Sequence, residues 1–82
     1  MLYKYNLYLV CYGEILNGYW GGSHVSGSGS TSSSAVDCGM KCCANNDCKL
    51  WVWIQRNNVC HLKKDDNLAW VPDSGHFSAK RN

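Results

Sequence analysis

The chain lacks any run of about 20 apolar residues, so no segment is long enough to cross a membrane as a helix. Charge is also scarce: charged residues make up 17% of the chain, and the net charge is only +2. The basic residues are dispersed, and Lys63 and Lys64 are followed at once by Asp65 and Asp66. Because nucleic-acid binding needs a concentrated basic face, we expect no nucleic-acid partner.

Catalytic and cofactor-binding motifs are missing as well. The chain has no Gly-x-Ser-x-Gly elbow, no phosphate-binding loop and no Gly-x-Gly-x-x-Gly before a helical pattern. Cys60 and His61 are adjacent, but neighbours on a strand face opposite ways, so they do not form a nucleophile and its base. Asp65 and Asp66 are neighbours in a predicted turn, which favours solvated carboxylates. We therefore expect neither enzymatic activity nor a cofactor.

Cysteine, by contrast, is abundant for a chain of 82 residues. A domain this small buries only about 60% of the surface that its unfolded chain exposes, so its core alone gives marginal stability. An even number of cysteines in a short chain is typical of a disulfide framework and of an extracellular, oxidising compartment. The six cysteines are Cys11, Cys38, Cys42, Cys43, Cys48 and Cys60.

Zinc ligation is the alternative use of these cysteines. Cys38 and Cys42 lie one helical turn apart, and three histidines, His24, His61 and His76, are present to complete a coordination shell. Structural zinc sites usually contain two ligand pairs at Cys-x2-Cys spacing. This chain instead has the motif CGMKCC followed by two separate cysteines. Disulfides are therefore the favoured interpretation, and we expect no metal.

The N-terminal segment, MLYKYNLYLVCYGE, alternates aromatic and branched side chains with a period of two over residues 3–12. This period predicts a strand, and its two apolar faces predict that a neighbour covers it. The segment is too polar and too short for a signal peptide, and it lacks a small-residue cleavage site. We expect it to belong to the folded module, so that either the export signal is absent from this sequence or Met1 is not the native start. Ile15 and Leu16 then predict a second short extended piece, which ends at an Asn17-Gly18 turn.

Residues 21–34, GGSHVSGSGSTSSS, are rich in glycine and serine and offer almost nothing to bury. One interpretation is a flexible loop. The other is a surface for O-linked sugars, because the segment is crowded with hydroxyl groups. The candidate attachment residues are Ser26, Ser28, Ser30, Thr31, Ser32 and Ser33.

A helix is predicted over residues 35–44. Ser34 is a suitable N-cap, and Asp37 completes a Ser-x-x-Asp capping pattern. Gly39 weakens the helix by about 1 kcal/mol relative to alanine, so its presence indicates close packing on a sheet. Asn45 and Asn46 are suited to end the helix because asparagine tolerates the left-handed conformation.

The strongest predicted strand is Leu50–Ile54, in which Leu50, Val52 and Ile54 face one way and Trp51 and Trp53 the other. A turn and a second strand, Val59–Lys63, complete a hairpin. Residues 68–71 predict another extended piece, residues 72–75 a turn and residues 76–78 a last edge strand. The expected fold is α+β, with one short helix packed on an antiparallel sheet of about five strands and stapled by disulfides.

The stretch DCGMKCCANNDCKLWVWIQRNNVCHLK, residues 37–63, resembles the PAN/apple modules. Those modules have a helix with two cysteines, a short gap to a third, an aromatic strand and a hairpin that ends in Cys-x-Leu-Lys. The matching positions are Cys38 and Cys42 on the helix, then Cys48, the strand Leu50–Ile54 and the closing run Cys60-His61-Leu62-Lys63. The whole of residues 1–82 is then expected to form one module.

This resemblance implies the disulfides Cys38–Cys60 and Cys42–Cys48, which leaves Cys11 for Cys43. The cysteine count by itself permits many other connectivities. Adjacent residues on a helix point about 100° apart, so neighbouring cysteines there can reach different partners. Two features differ from the family pattern: no cysteine follows Cys60 to tie the two ends of the module together, and Cys43 is an additional cysteine.

Members of the family bind proteins or carbohydrates, so the resemblance implies a non-enzymatic adhesion or recognition module outside the cell. Four tryptophans and five tyrosines favour binding. The candidate ligand-binding residues are Trp51, Trp53, Arg56, Lys63 and Trp70. Two alternatives stay open: Trp51 and Trp53 belong to the core, or the chain is a self-assembling subunit of an extracellular filament or coat.

Overall fold

The computed structural model describes residues 11–64 and 69–82. In these ranges the elements are β1 (Leu16–Trp20), β2 (Ser30–Thr31), α1 (Ala35–Cys43), β3 (Leu50–Ile54), β4 (Val59–Lys63) and β5 (Trp70–Lys80). The strands form one antiparallel sheet in the order β1-β5-β3-β4-β2. One helix on a five-stranded antiparallel sheet confirms the predicted fold class. The strand predicted over residues 3–12 lies outside the described residues except for its last two, of which Tyr12 forms an isolated antiparallel bridge with Arg81. The turn predicted at Asp65 and Asp66 also lies outside the described residues.

Helix α1 begins and ends close to its predicted limits. The Ser34 hydroxyl accepts the backbone N–H of Asp37 at 3.1 Å, which confirms the predicted N-cap. At the other end, the guanidinium of Arg81 donates to the carbonyls of Cys42 and Asn45 at 2.9 and 2.8 Å. A cation that contacts the last carbonyls satisfies their hydrogen bonds and complements the helix dipole. The C-terminal segment therefore fastens the end of the helix.

Gly39 is the point of closest approach between α1 and the sheet. A Cβ atom at this position would lie 3.0 Å from Cε2 of Trp51 and closer still to the ring of Tyr12. Tyr12 in turn meets Trp51 edge-on, with ring centroids 5.2 Å apart. Gly39 thus lets the helix backbone pack directly on two aromatic rings, as predicted from the sequence.

Both faces of strand β3 are buried. On the helix side, Trp51 and Trp53 pack with the cysteines of α1. On the opposite side, Leu50 and Val52 pack against Trp20. This double burial explains why the strand contains no polar position, since a strand covered on both faces has no side chain directed to water.

Three disulfides connect α1 to its surroundings: Cys38–Cys60 to β4, Cys42–Cys48 to the loop before β3, and Cys11–Cys43 to the segment before β1. These are the pairs that the family resemblance implied. Every bridge has one end on the helix, so the framework ties α1 to β4, to the loop before β3 and to the segment before β1.

Two predicted turns are wrong, because β1 and β5 run through them. Strand β1 continues across Asn17 and Gly18, and β5 extends through residues 72–75. The register jumps from Asn17–Phe77 to Gly18–Pro72, so residues 73–76 form a bulge with no partner on β1. These residues have the composition of turns, but the paired strands β1 and β5 accommodate them as a shift in register. The edge strand predicted over residues 76–78 is likewise wrong, because β5 lies between β1 and β3.

Residues 21–34 are more regular than the flexible loop that their composition predicts. Strand β2 lies inside this segment and pairs with β4. The backbone N–H of Val25 also donates to Leu62 at 2.9 Å, and that of Gly29 donates to Cys60 at 2.8 Å. Hydrogen bonds rather than apolar side chains make this pairing, so hydrophobic periodicity gives no sign of it.

Candidate functional site

On the sheet surface away from α1, the side chains of Tyr19, Trp20, Trp70 and His76 form a group that we call the aromatic face. Trp20 on β1 is paired in register with Trp70 on β5, and their ring centroids are 4.5 Å apart. Tyr19 meets His76 at 4.6 Å. Trp20 clusters with Leu50 and Val52 of β3, and Tyr19 and Trp70 pack against this cluster.

Gly18 explains how Trp70 lies against β1. Its φ of 151° is a value that residues with side chains rarely adopt. A Cβ atom here would meet Cη2 of Trp70 at 2.6 Å and the carbonyl oxygen of Val71 at 2.5 Å. The indole ring occupies the space that a side chain would need. A glycine inside an extended aromatic stretch was the available sequence signal for this close approach.

The members of the aromatic face differ in solvent exposure. Trp20 is 8% exposed and belongs to the buried layer. Tyr19, Trp70 and His76 are partly exposed, and the neighbouring Val71 is 39% exposed. Half-exposed rings with polar tips are typical of surfaces that bind a partner, because they add contact area and still tolerate water.

Two lysines lie at the Trp20 side of this surface. The ammonium of Lys80, an exposed residue, is 5.1 Å from the Trp20 ring centroid, within the range of a cation–π contact. Lys63 is buried, and its Nζ donates to the carbonyl oxygen of Trp20 at 2.7 Å. Burial lowers the pKa of Lys63, because the charged form loses hydration. Lys63 therefore fixes the backbone of Trp20 from the buried side, whereas Lys80 is accessible to solvent.

A carboxylate lies at the His76 side. The backbone N–H of Gly75 donates to Asp73 Oδ1 at 2.8 Å, and the same oxygen is 3.2 Å from Nδ1 of His76. The hydrogen bond from Gly75 and the proximity of His76 lower the pKa of Asp73, and Arg56 adds a smaller effect. Asp73 is therefore ionised at neutral pH, so this edge presents a carboxylate next to the imidazole of His76.

The predicted ligand-binding residues lie in three different parts of the structure. Trp51 is 0% exposed and Trp53 is 8% exposed, and the Trp53 indole N–H donates to the carbonyl of Ser32 at 2.8 Å. Both rings lie beneath the helix and offer no face to a ligand. Trp70 belongs to the aromatic face, and Lys63 lies beneath its Trp20 side. Arg56 is exposed in the turn between β3 and β4.

Sequence reasoning missed three members of the aromatic face: Tyr19, Trp20 and His76. Tyr19 and Trp20 follow the turn predicted at Asn17-Gly18, and the only site to which His76 was assigned was a possible zinc site. Their common surface depends on the pairing of β1 with β5, which are far apart in the chain. A stretch with the pattern Gly-Tyr-Trp was the one local signal, because glycine in a strand often marks close backbone approach.

The candidate glycosylation residues differ in accessibility. Ser26, Thr31 and Ser33 are exposed. The Ser28 hydroxyl accepts the backbone N–H of Leu62 at 2.9 Å, and the Ser30 hydroxyl accepts from Lys41 at 3.2 Å. Ser32 is 1% exposed.

Across residues 11–64 and 69–82, no group of three or more histidine, cysteine or acidic side chains is arranged to hold a metal ion. All six cysteines are committed to disulfides. In the same part of the chain, no helix has the length and apolar character needed to cross a membrane.

Comparison with known proteins gives one match. The family model for the PAN domain matches residues 11–81, which is nearly the whole chain. No curated protein and no solved structure matches.

Proposed function

Because the chain belongs to the PAN domain family, we propose that it is a non-enzymatic module that binds a protein or a carbohydrate outside the cell. PAN domains are generally binding modules without catalytic activity, and they occur in extracellular proteins. The three disulfides support this location, since such bonds persist mainly in oxidising compartments.

The aromatic face is the observation that carries this proposal. It combines partly exposed rings, Tyr19, Trp70 and His76, with the exposed apolar side chain of Val71. Tyrosine and tryptophan dominate the binding energy of protein interfaces. A flat ring also packs against the apolar face of a sugar, and the neighbouring Asp73 and Lys80 supply hydrogen-bonding groups for its hydroxyls.

The proposal is tested with purified protein on an array of glycans and against a panel of secreted proteins. Tyr19→Ala and Trp70→Ala are compared with Val36→Ala, which removes an exposed apolar side chain from the outer side of α1. A binding residue of this type contributes about 2 kcal/mol or more, so we expect about 30-fold weaker binding for Tyr19→Ala and Trp70→Ala. Equal binding by all three variants would contradict the proposed surface.

Self-assembly into an extracellular filament or coat is the second candidate. Its support is a set of four exposed apolar side chains outside the core, Leu16, Val36, Met40 and Val71. They are divided between α1 and the β1–β5 side of the sheet, as a repeating contact between two different surfaces requires. Light scattering after size exclusion distinguishes the candidates, because a monomer at high concentration argues against assembly.

We retain O-linked glycosylation as a proposal for Ser26, Thr31 and Ser33, because their side chains are exposed. Ser28 and Ser30 already use their hydroxyls in hydrogen bonds, and Ser32 is buried. The intact mass of the native protein before and after reduction tests both this proposal and the disulfide count. A mass equal to that of the bare chain would remove the sugars.

A further inference from the structure

The segment that covers the edge of β4 is held in two different ways along its length. We divide this segment into a near part, residues 23–29, and a far part, residues 30–32. Both parts donate backbone hydrogen bonds to β4 or to the turn that precedes it. The far part is also held by side chains. The indole of Trp53 donates to the Ser32 carbonyl at 2.8 Å, and the ammonium of Lys41 donates to the Thr31 carbonyl at 2.6 Å.

The near part is held by the side chain of Asn45, which donates to the Ser26 carbonyl at 3.0 Å, and it contacts β4 through a pair of histidines. The rings of His24 and His61 are stacked, with centroids 4.7 Å apart and an interplanar angle of 20°. Nδ1 of His61 is 3.5 Å from the hydroxyl of Ser28, which also accepts the backbone N–H of Leu62 at 2.9 Å. Two imidazoles therefore lie face to face at the point where the near part meets the sheet.

The surroundings of the pair are rich in groups that become or remain positive in acid. Burial is the main cause that lowers the pKa of His61, and His24, Lys63 and His76 lower it further. His24 also lines an open polar groove with Asp47, Lys49 and Lys64. Within the described ranges, no carboxylate forms an ion pair with either ring, and Asp73 is next to His76 instead.

We propose that the stacked His24–His61 pair is an acid-sensitive latch, which holds the near part on β4 at neutral pH and releases it when both rings are protonated. Two imidazolium ions at this distance repel each other, and neighbouring positive groups add to the repulsion. Opening separates the charges and hydrates them. Release exposes the backbone groups of Leu62 on β4, an edge to which another strand can add.

The direction of the pH effect follows from the pKa of His61. Its pKa is below the ordinary value of 6.5 in the closed state, so the closed state prefers the neutral ring. When the near part opens, the pKa returns toward the ordinary value, and the open state binds a proton more readily. Acidification below about pH 6.5 therefore favours opening.

Amide hydrogen exchange at pH 7.5 and 5.5, corrected for intrinsic rates, tests the latch. Because protonation favours the open state, we expect several-fold faster exchange at the Val25 and Leu62 amides at pH 5.5 than at pH 7.5. The Ser32 amide, in the far part, serves as the internal control and should keep its protection. An equal loss of protection in both parts, or no loss in either, would overturn the proposal.

Two variants separate charge from contact. His24→Phe keeps an aromatic ring on His61 but carries no proton, so acid should speed exchange in its near part less than in the wild type, because burial of His61 then acts without the charge of His24. His76→Gln removes a histidine that is not in the stack, and it should respond to acid nearly as the wild type does. Opening of His24→Phe at pH 5.5 to the wild-type extent would contradict the latch.

The pKa of His61, measured by NMR, gives a second readout that does not depend on opening. It should be higher in His24→Phe than in the wild type, because the stacked positive charge is gone. An unchanged pKa would show that the two rings do not interact electrostatically and would also overturn the proposal.

Discussion

The two faces of the sheet are held by different means. On the helix side, three disulfides and the buried rings of Trp51 and Trp53 fix α1 to the sheet. On the other side, none of these bridges is present, and the rings of Tyr19 and Trp70 are partly exposed. Covalent bonds on one face thus support an aromatic surface on the other, and this division is well suited to a small binding module.

The largest expected effect tests whether the helix side is the true core. Trp51→Ala removes a fully buried ring, so we expect a loss of about 3–5 kcal/mol in the free energy of unfolding. Trp70→Ala removes a partly exposed ring, and we expect about 1–2 kcal/mol. Denaturant unfolding measures both values. Equal losses would show that the aromatic face is a second core rather than a surface.

A smaller effect concerns the end of α1. Arg81→Ala leaves the carbonyls of Cys42 and Asn45 without their charged donor, and we expect a loss of about 1–2 kcal/mol. Arg81→Lys keeps the charge but not the planar guanidinium, so it should recover only part of this loss. Thermal unfolding monitored by circular dichroism measures both variants. A wild-type melting temperature for Arg81→Ala would mean that the disulfides alone hold the helix.

The N-cap should contribute about 1 kcal/mol. Ser34→Ala removes the acceptor for the Asp37 N–H, whereas Ser34→Asp replaces it with a carboxylate that also favours the helix dipole. We expect Ser34→Ala to lower the free energy of unfolding and Ser34→Asp to preserve it. Denaturant unfolding with intact disulfides provides the measurement. If both variants match the wild type, local capping adds nothing to a helix with three bridges.

The smallest effect at neutral pH, and the most specific to the aromatic face, involves Lys63. Lys63→Met removes a buried charge and should change stability by less than about 1 kcal/mol. The pH dependence of the free energy of unfolding distinguishes Lys63→Met from the wild type. Because burial lowers the folded-state pKa of Lys63 below its ordinary 10.5, the folded wild type releases its proton before the unfolded chain does.

The wild type should therefore gain stability as the pH rises through the folded-state pKa toward 10.5. Lys63→Met should lack this gain. Urea unfolding at increasing pH up to about 9.5 samples the part of this rise that precedes the titration of Tyr12. Tyr12, whose pKa burial raises above 10.0, acts in the opposite direction at higher pH, so the series ends below that value. A parallel pH response in both proteins would show that Lys63 is hydrated in solution.

Local signals predicted the elements that short sequence patterns specify. Ser34 and Asp37 indicated the helix start, Gly39 indicated close packing, and alternation over Leu50–Ile54 indicated the central strand. Long-range pairing was the source of the errors. Asn17-Gly18 and residues 72–75 have the composition of turns, but β1 and β5 pair across them and accommodate the irregularity as a bulge.

The candidate site was predicted only in part for a related reason. Alternation shows that Trp51 and Trp53 share a face, but it does not say which face of β3 the helix covers. Because Leu50, Val52 and Ile54 are also apolar, both faces satisfied the same pattern. The aromatic face depends on Gly18 and Trp70, which meet only after β1 pairs with β5.

The sequence by itself determined the class of this protein: a short chain with six cysteines, one capped helix and a strongly apolar hairpin. Only the tertiary structure decided which tryptophans are buried, which are accessible, and that His24 lies on His61. Helix caps and strand alternation depend on residues only a few positions apart, so short sequence patterns specify them. Burial and charge proximity depend on strands that are distant in the chain, and they exist only once the sheet is assembled.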